Sequence, residues 1–348
     1  MRVKLCDVTS YSKGIQINGD ELVDDGKYYY INGGINPSGK WNSYNVDGNT
    51  ITISEGGNSS GYINYIDEPF WCGAHCYYLY DGPKNTRYLY YALKSQQKRM
   101  FDIRSGACMP NIKKSDLGNF EFEFEQDEQK QENITSILFT VETIIQVYNK
   151  ELKFLKELVK ARFVEMFDEY SKIELYKIAD ITMGQSPSSS SYNKDGNGLP
   201  FFQGKGDYGN KYTSVSNWTT EPNKIVEKGT VLMSVRAPVG PVNIANVKCC
   251  LGRGLCGINA VEGKTNNEFL YNALKVMEED ISSKGTGSTF KAITKKDVYE
   301  LLVPNVPLEL QNDYSLFSQQ VDKSREIIQK KIDTYQELFD KLMQEYFG

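Results

Sequence analysis

The chain has 348 residues, 40% of them hydrophobic and 24% charged, enough for two domains of ordinary size with a core each. No apolar run approaches the ~20 residues of a membrane span, and residues 1–6 alternate like a strand rather than a secretory leader, so a cytoplasmic protein with no membrane partner is expected. The net charge of −5 is unusual for a nucleic-acid binder, but it is unevenly placed: residues 126–170 and 304–348 hold 11 basic and 17 acidic side chains, and the remainder holds 29 and 28. An acidic total therefore does not exclude DNA if the acid lies on struts that need not touch it.

Residues 1–125 consist of short runs of strand formers, such as 50–53, separated by Gly, Asn, Pro and Ser clusters, with a helix expected over 86–98. Within this region Cys72, His75 and Cys76 are close enough to suggest a metal, but no second Cys or His pair at finger-like spacing completes four ligands. The expectation is a strand of buried small residues, reduced thiols for the odd set of seven cysteines, and no metal or cofactor. Apolar residues then fall at Ile134, Ile137, Val141, Ile144, Tyr148, Leu152, Leu155, Val159 and Phe163, which is helical spacing with no Gly or Pro to interrupt it. A helix over 127–167 would be ~60 Å long and could not be stable alone. Residues 171–303 return to strand-like runs, 230–235 among them, with a helix expected over 267–281. The chain closes on a second long stripe: Tyr314, Phe317, Val321, Ser324, Ile328, Ile332, Tyr335, Phe339 and Met343.

These regions form a duplication. Val3-Lys4-Leu5 pairs with Ile173-Glu174-Leu175, and the run Tyr88 to Lys94 pairs with Phe269 to Lys275. Gly106, Ile112 and Asp116 match Gly287, Ile293 and Asp297, and the offset drifts only from 170 to 181. Each long stripe needs one long partner, and its own duplicate is the obvious one. Antiparallel pairing would set the modules at opposite ends of a rigid spacer, whose length would fix the distance between whatever the two modules read.

Several local stretches carry a resemblance. In the first copy they are Tyr30-Ile31-Asn32-Gly33-Gly34-Ile35-Asn36-Pro37-Ser38-Gly39 and Ile53-Ser54-Glu55-Gly56-Gly57-Asn58-Ser59-Ser60-Gly61-Tyr62. In the second they are Gly184-Gln185-Ser186-Pro187-Ser188, Leu232-Met233-Ser234-Val235-Arg236-Ala237-Pro238-Val239-Gly240 and Gly252-Arg253-Gly254. With the duplication, they resemble the specificity (S) subunit of type I restriction-modification systems over essentially the whole chain. The resemblance implies two target recognition domains, each reading half of an interrupted sequence in double-stranded DNA. Two methylation subunits and, in the full complex, endonuclease/translocase subunits would do the chemistry. The expected fold class is thus α/β: target recognition domains at 1–125 and 171–303, joined by an antiparallel two-helix coiled coil at 126–170 and 304–348, with an internal pseudo-two-fold repeat.

Catalysis by the chain itself finds little support. His75 is the single histidine, Asn36-Pro37 does not continue into the tetrapeptide expected of an amino-group DNA methyltransferase, and Gly204-Lys205-Gly206 is too short for a phosphate loop. The rival reading is a structural adaptor whose two modules bind proteins. Polar, Gly-rich loops favour DNA. The candidate contacts are Asn58, Ser59, Arg104, Ser105 and Lys113 in the first copy. In the second they are Gln185, Ser188, Tyr192, Gln203, Lys205, Arg236, Arg253, Lys284, Thr286, Ser288 and Lys291. For Arg236 the competing expectation is a tie to a neighbouring carboxylate or carbonyl, for Arg253 a structural role in a buried, cysteine-rich stretch, and for the run Ser188 to Ser191 a disordered linker.

Overall fold

A computed structural model of the chain describes residues 1–106, 108–285 and 292–348. It divides into two compact units, residues 1–149 with 330–348, and residues 150–329. Thr286, Ser288 and Lys291 lie outside the described residues.

In the first unit, strand β1 (Arg2–Lys4) leads into a one-turn helix, α1 (Leu5–Val8), and pairs with β9 (Glu121–Glu123). The strand expected over 1–6 stops at Lys4, because Leu5 turns fully into the core. Strands β2 (Ser10–Lys13), β5 (Thr50–Ser54), β6 (Ile63–Ile66) and β8 (Cys76–Tyr80) form an antiparallel sheet in the order β2-β8-β5-β6. A second sheet has the order β4-β3-β7, with β3 (Tyr28–Ile31) parallel to β7 (Phe70–Cys72) and antiparallel to β4 (Gly39–Trp41). Helices α2 (Thr86–Ser95), α3 (Gln97–Asp102) and α4 (Lys114–Gly118) complete the module.

The second unit repeats this plan. Strand β10 (Lys172–Glu174) pairs with β20 (Leu302–Pro304). One sheet has the order β11-β19-β16-β17, from Ala179–Met183, Leu255–Ala260, Val231–Ser234 and Val242–Ile244. The other has the order β12-β14-β13-β18-β15, from Tyr192–Asn193, Trp218–Thr219, Leu199–Phe202, Cys249–Leu251 and Ile225–Val226. Again one pair, β13 with β18, is parallel. Helices α6 (Asn267–Val276), α7 (Glu278–Ser283) and α8 (Lys295–Tyr299) follow. Isolated bridges also recur, Gly56 with Asn111 and Arg236 with Ala292, so the duplication read from sequence is a duplication of topology.

Each single helix expected in the repeat is two. The first breaks at Gln96 (φ −93°, ψ 16°) and the second at Met277 (φ −86°, ψ 4°). In the first copy tertiary hydrogen bonds stabilise the break. Gln97 Oε1 accepts from the Ile63 amide at 3.0 Å and Gln97 Nε2 donates to the Gly61 carbonyl at 2.7 Å, so α3 departs from the line of α2.

Two 40-residue helices, α5 (Glu128–Phe167) and α9 (Leu308–Phe347), run through both units. Asp127 caps α5, its Oδ1 accepting from the Gln129 and Lys130 amides. In each unit the start of one helix packs against the end of the other, the antiparallel sense expected. In the first unit Tyr148 meets Tyr335 with ring centroids 6.0 Å apart, and Leu138 shares a core with Phe347. In the second, Phe163 and Phe167 of α5 surround Tyr314 of α9 at 5.3 and 5.4 Å, and the Tyr314 hydroxyl donates to the Val159 carbonyl. The buried face follows Ile134, Leu138 and Val141, at i, i+4 and i+7, leaving Ile137 43% exposed. Ser324 likewise faces solvent. Among the described residues no helix is long and apolar enough to cross a membrane.

Candidate nucleic-acid interface

The second module gathers its strand ends. The segment after β11 reaches the β18–β19 turn: the Gly184 amide donates to Leu255 O, Gln185 N to Leu251 O, and Arg253 N to Ser186 Oγ. That turn also meets the end of β13, through Gly252 N donating to Phe202 O at 2.8 Å. The end of β16 joins through Val235 N to Gly254 O, and Ile293 N donates to Val235 O. Four sequence-distant candidates, Gln185, Gln203, Arg236 and Arg253, thereby share one set of strand-end loops, all four exposed. Such close backbone approach requires glycine: a Cβ on Gly184 would lie 2.1 Å from Gly252 O, and one on Gly254 2.3 Å from Gln203 O.

Neither the Arg236 nor the Arg253 guanidinium has an ion-pair partner among the described residues. Arg236 is tied through its backbone, whose carbonyl accepts from Ser234 Oγ. Although Cys249, Cys250 and Cys256 are buried, Arg253 between its two glycines is not. Lys205 lies exposed on the adjoining turn, which Asp207 holds by accepting from the Gln203 and Gly204 amides at 2.7 and 3.2 Å. Ser188 Oγ bonds Ser190 Oγ, and Tyr192 is engaged internally, its hydroxyl on Pro187 O and its ring 4.7 Å from that of Phe201. Lys284 is exposed at the end of α7.

In the first module the equivalent loops meet in the same way. Gly14 N donates to Cys76 O, Ile15 N to Cys72 O, Gly73 N to Ile31 O, Glu55 N to His75 O, and Ile112 N to Glu55 O. Of the candidates from sequence, Asn58 is exposed on the turn after β5, and Ser59 Oγ donates to Gly33 O at 2.6 Å. Ser105 bridges Asn111, and Lys113 is exposed before α4. Arg104 folds back on its own helix end, Nε donating to Phe101 O at 2.6 Å.

The side chains concentrated at these loops are others: Lys13, Asn32, Glu55 and His75. Glu55 accepts from Lys13 Nζ at 2.7 Å and lies 3.4 Å from His75 Nδ1. The Lys13 ammonium sits 5.5 Å from the ring centre of Tyr77, whose hydroxyl burial pushes up to about 12. Cys72 and Cys76 point into the core beneath, and the Cys72 thiol is pushed far up by its hydrogen bond with Cys76 and by burial.

Two modules of one topology, each presenting polar side chains on convergent strand-end loops, define a duplicated binding protein with a helical spacer. The comparisons say which. Residues 1–157 and 168–335 match the family described as Type I restriction modification DNA specificity domain, and the chain belongs to that family. It is 34% identical over 281 residues, 74% of this chain and 66% of the relative, to a protein described as a type I restriction enzyme MjaX specificity subunit of Methanocaldococcus jannaschii. A type I specificity subunit of Mycoplasma genitalium is 27% identical over 96% of this chain and 90% of its own length. In fold the chain resembles the crystal structure of a type I restriction-modification S subunit from M. genitalium. That likeness has a TM-score of 0.69 and 23% identity, and covers 100% of this chain and 96% of the other. A second solved chain, from work on complex assembly and conformational transition of the type I system, aligns with a TM-score of 0.61 and 22% identity over 99% and 96%.

Proposed function

We propose that this chain is a non-catalytic subunit that reads a bipartite, interrupted sequence in duplex DNA and brings methylation and restriction subunits to it, in the cytoplasm. The modules at 1–125 and 171–303 each read one half-site, and the segments 126–170 and 304–348 act as spacer. The observation that carries this reading is the recurrence of the same convergent strand-end loops in both modules, with Arg236 and Arg253 exposed on the second and without an ion-pair partner among the described residues. Exposed guanidiniums suit phosphates and guanine edges. The loops differ in side chains, so the half-sites differ in sequence.

The test is methylome sequencing of cells carrying this chain with its methylation subunits: a two-part motif with unlike halves is expected, and identical halves or no motif overturns the reading. Binding of duplex DNA by the purified chain should weaken steeply with salt, by a log–log slope of about −0.9 per phosphate contact. A protein-binding adaptor would show no such slope. The purified chain given a methyl donor alone should leave DNA unmodified.

A further inference from the structure

The first module's loops hold a side-chain cluster with a defined hydrogen-bonding sense, and it differs from that of the second module. The turn joining β7 to β8, Gly73-Ala74-His75, is the structural counterpart of Gly252-Arg253-Gly254. His75 is pinned from three directions. Its amide donates to Asn32 Oδ1 at 3.1 Å, its carbonyl accepts from the Glu55 amide at 2.9 Å, and its Nδ1 faces Glu55 Oε2 at 3.4 Å. A Cβ on Gly33 would lie 2.3 Å from the His75 carbonyl, so the backbone there has no slack. The other Glu55 oxygen receives Lys13 Nζ. The Glu55 side chain is 18% exposed, whereas those of His75 and Lys13 are 62% and 43% exposed. One sheltered carboxylate thus orients two outward groups.

The carboxylate sets their polarity. With Nδ1–H given to Glu55, the neutral imidazole presents Nε2 as an acceptor, while Lys13 presents ammonium donors. A donor beside an acceptor complements the major-groove edge of adenine, which offers N7 to accept and the N6 amino group to donate. We infer that His75, oriented by Glu55 and set beside Lys13, is a specificity-determining residue of the first module that selects an adenine in its half-site. Among the described residues, the charged groups beside the imidazole are Glu55 on the β5 end and Lys13 on β2, with the Tyr77 ring of β8 beneath the ammonium. Glu55 is the one acid among these, and it faces both the ammonium and the imidazole.

This inference rests on the DNA-reading function proposed above, and the experiment separates the two. The full chain, assembled with its methylation subunits, is used to select from a random duplex library. The wild type is expected to enrich a two-part motif with one adenine in the first half-site favoured at least fivefold. His75→Ala should erase the preference at that position and leave the second half-site intact. His75→Gln, whose amide presents both a donor and an acceptor, should keep adenine. A wild type that enriches no motif overturns the DNA-reading function itself. A wild-type motif that His75→Ala leaves unchanged at every position overturns the His75 assignment alone. So does a uniform loss of affinity with a shallower salt slope, which would mark a phosphate contact.

Discussion

Replacing Lys211 by methionine should destabilise the second unit by about 3–5 kcal/mol, the usual cost of removing one partner from a buried ion pair. The Lys211 side chain is 9% exposed and joins three elements. Its Nζ lies 2.7 and 2.9 Å from the two Glu268 oxygens of α6 and bonds Asp322 of α9, while its backbone carbonyl accepts from Ile244 of β17. Without the ammonium, Glu268 keeps Ser318 Oγ and Asn272 Nδ2 as donors, and Asp322 keeps Arg325. The two carboxylates then share too little positive charge. For a unit of this size the loss corresponds to a fall in unfolding midpoint on the order of 10 °C, readable by calorimetry at pH 7. Neutralising the acids as well, in K211M/E268Q/D322N, should recover most of it. Burial pulls the Lys211 ammonium down, but Glu268 and Asp322 outweigh burial and hold its pKa above the ordinary 10.5. A raised pKa stabilises fully below the unfolded value and is lost as pH climbs through the folded one, so the wild-type advantage should be flat from pH 6 to 9 and shrink only above about 10.5. A single variant within ~0.5 kcal/mol of wild type, or a triple variant no better than the single, refutes this account.

Lys94 in the first module should behave oppositely. Burial lowers it to about 8 against the weaker pull of Glu142, so the penalty of keeping it charged is complete below pH 8 and relieved between about 8 and 10.5. Chemical denaturation should therefore find the wild type gaining on Lys94→Met across that interval, and a parallel pair of curves counts against it. Gly33→Ala places a side chain at φ +86° and against the His75 carbonyl, and a loss of about 1–3 kcal/mol in the first unit is expected from denaturant midpoints. Arg236→Ala and Arg253→Ala should each weaken DNA binding by about 1–3 kcal/mol if they meet bases, with relaxed selection at one position of the second half-site, or flatten the salt slope by about one if they meet phosphates. Titration of wild type and variants with labelled duplex distinguishes these. Unchanged affinity and slope would remove both residues from the interface.

What the sequence makes legible here is whatever repeats or runs unbroken. The apolar stripe from Ile134 to Phe163 and its echo from Tyr314 to Met343 specify two long helices because 3.6-residue periodicity needs no tertiary knowledge. The errors at Ile137 and Ser324 come from allowing any apolar or equivalent position into a stripe that geometry narrows to one face. The binding loops follow a different logic. Lys13, Glu55 and His75 are 42 and 20 residues apart and form no motif, since only the pairing of β2, β8 and β5 brings them together. Glycine was the available clue. Gly73 and Gly252 both lie where a neighbouring strand-end loop comes within reach of a Cβ, through the Asn32 side-chain Oδ1 at 2.2 Å in one module and the Gln203 backbone Cα at 3.2 Å in the other. Close packing thus constrains the shared glycine, Gly73 or Gly252, and leaves the next two positions, Ala74-His75 against Arg253-Gly254, free to differ. A fold arranged this way keeps its scaffold while its target changes. The same separation explains why scaffold can be read from one sequence, whereas the contacted bases depend on where three strand ends place their side chains.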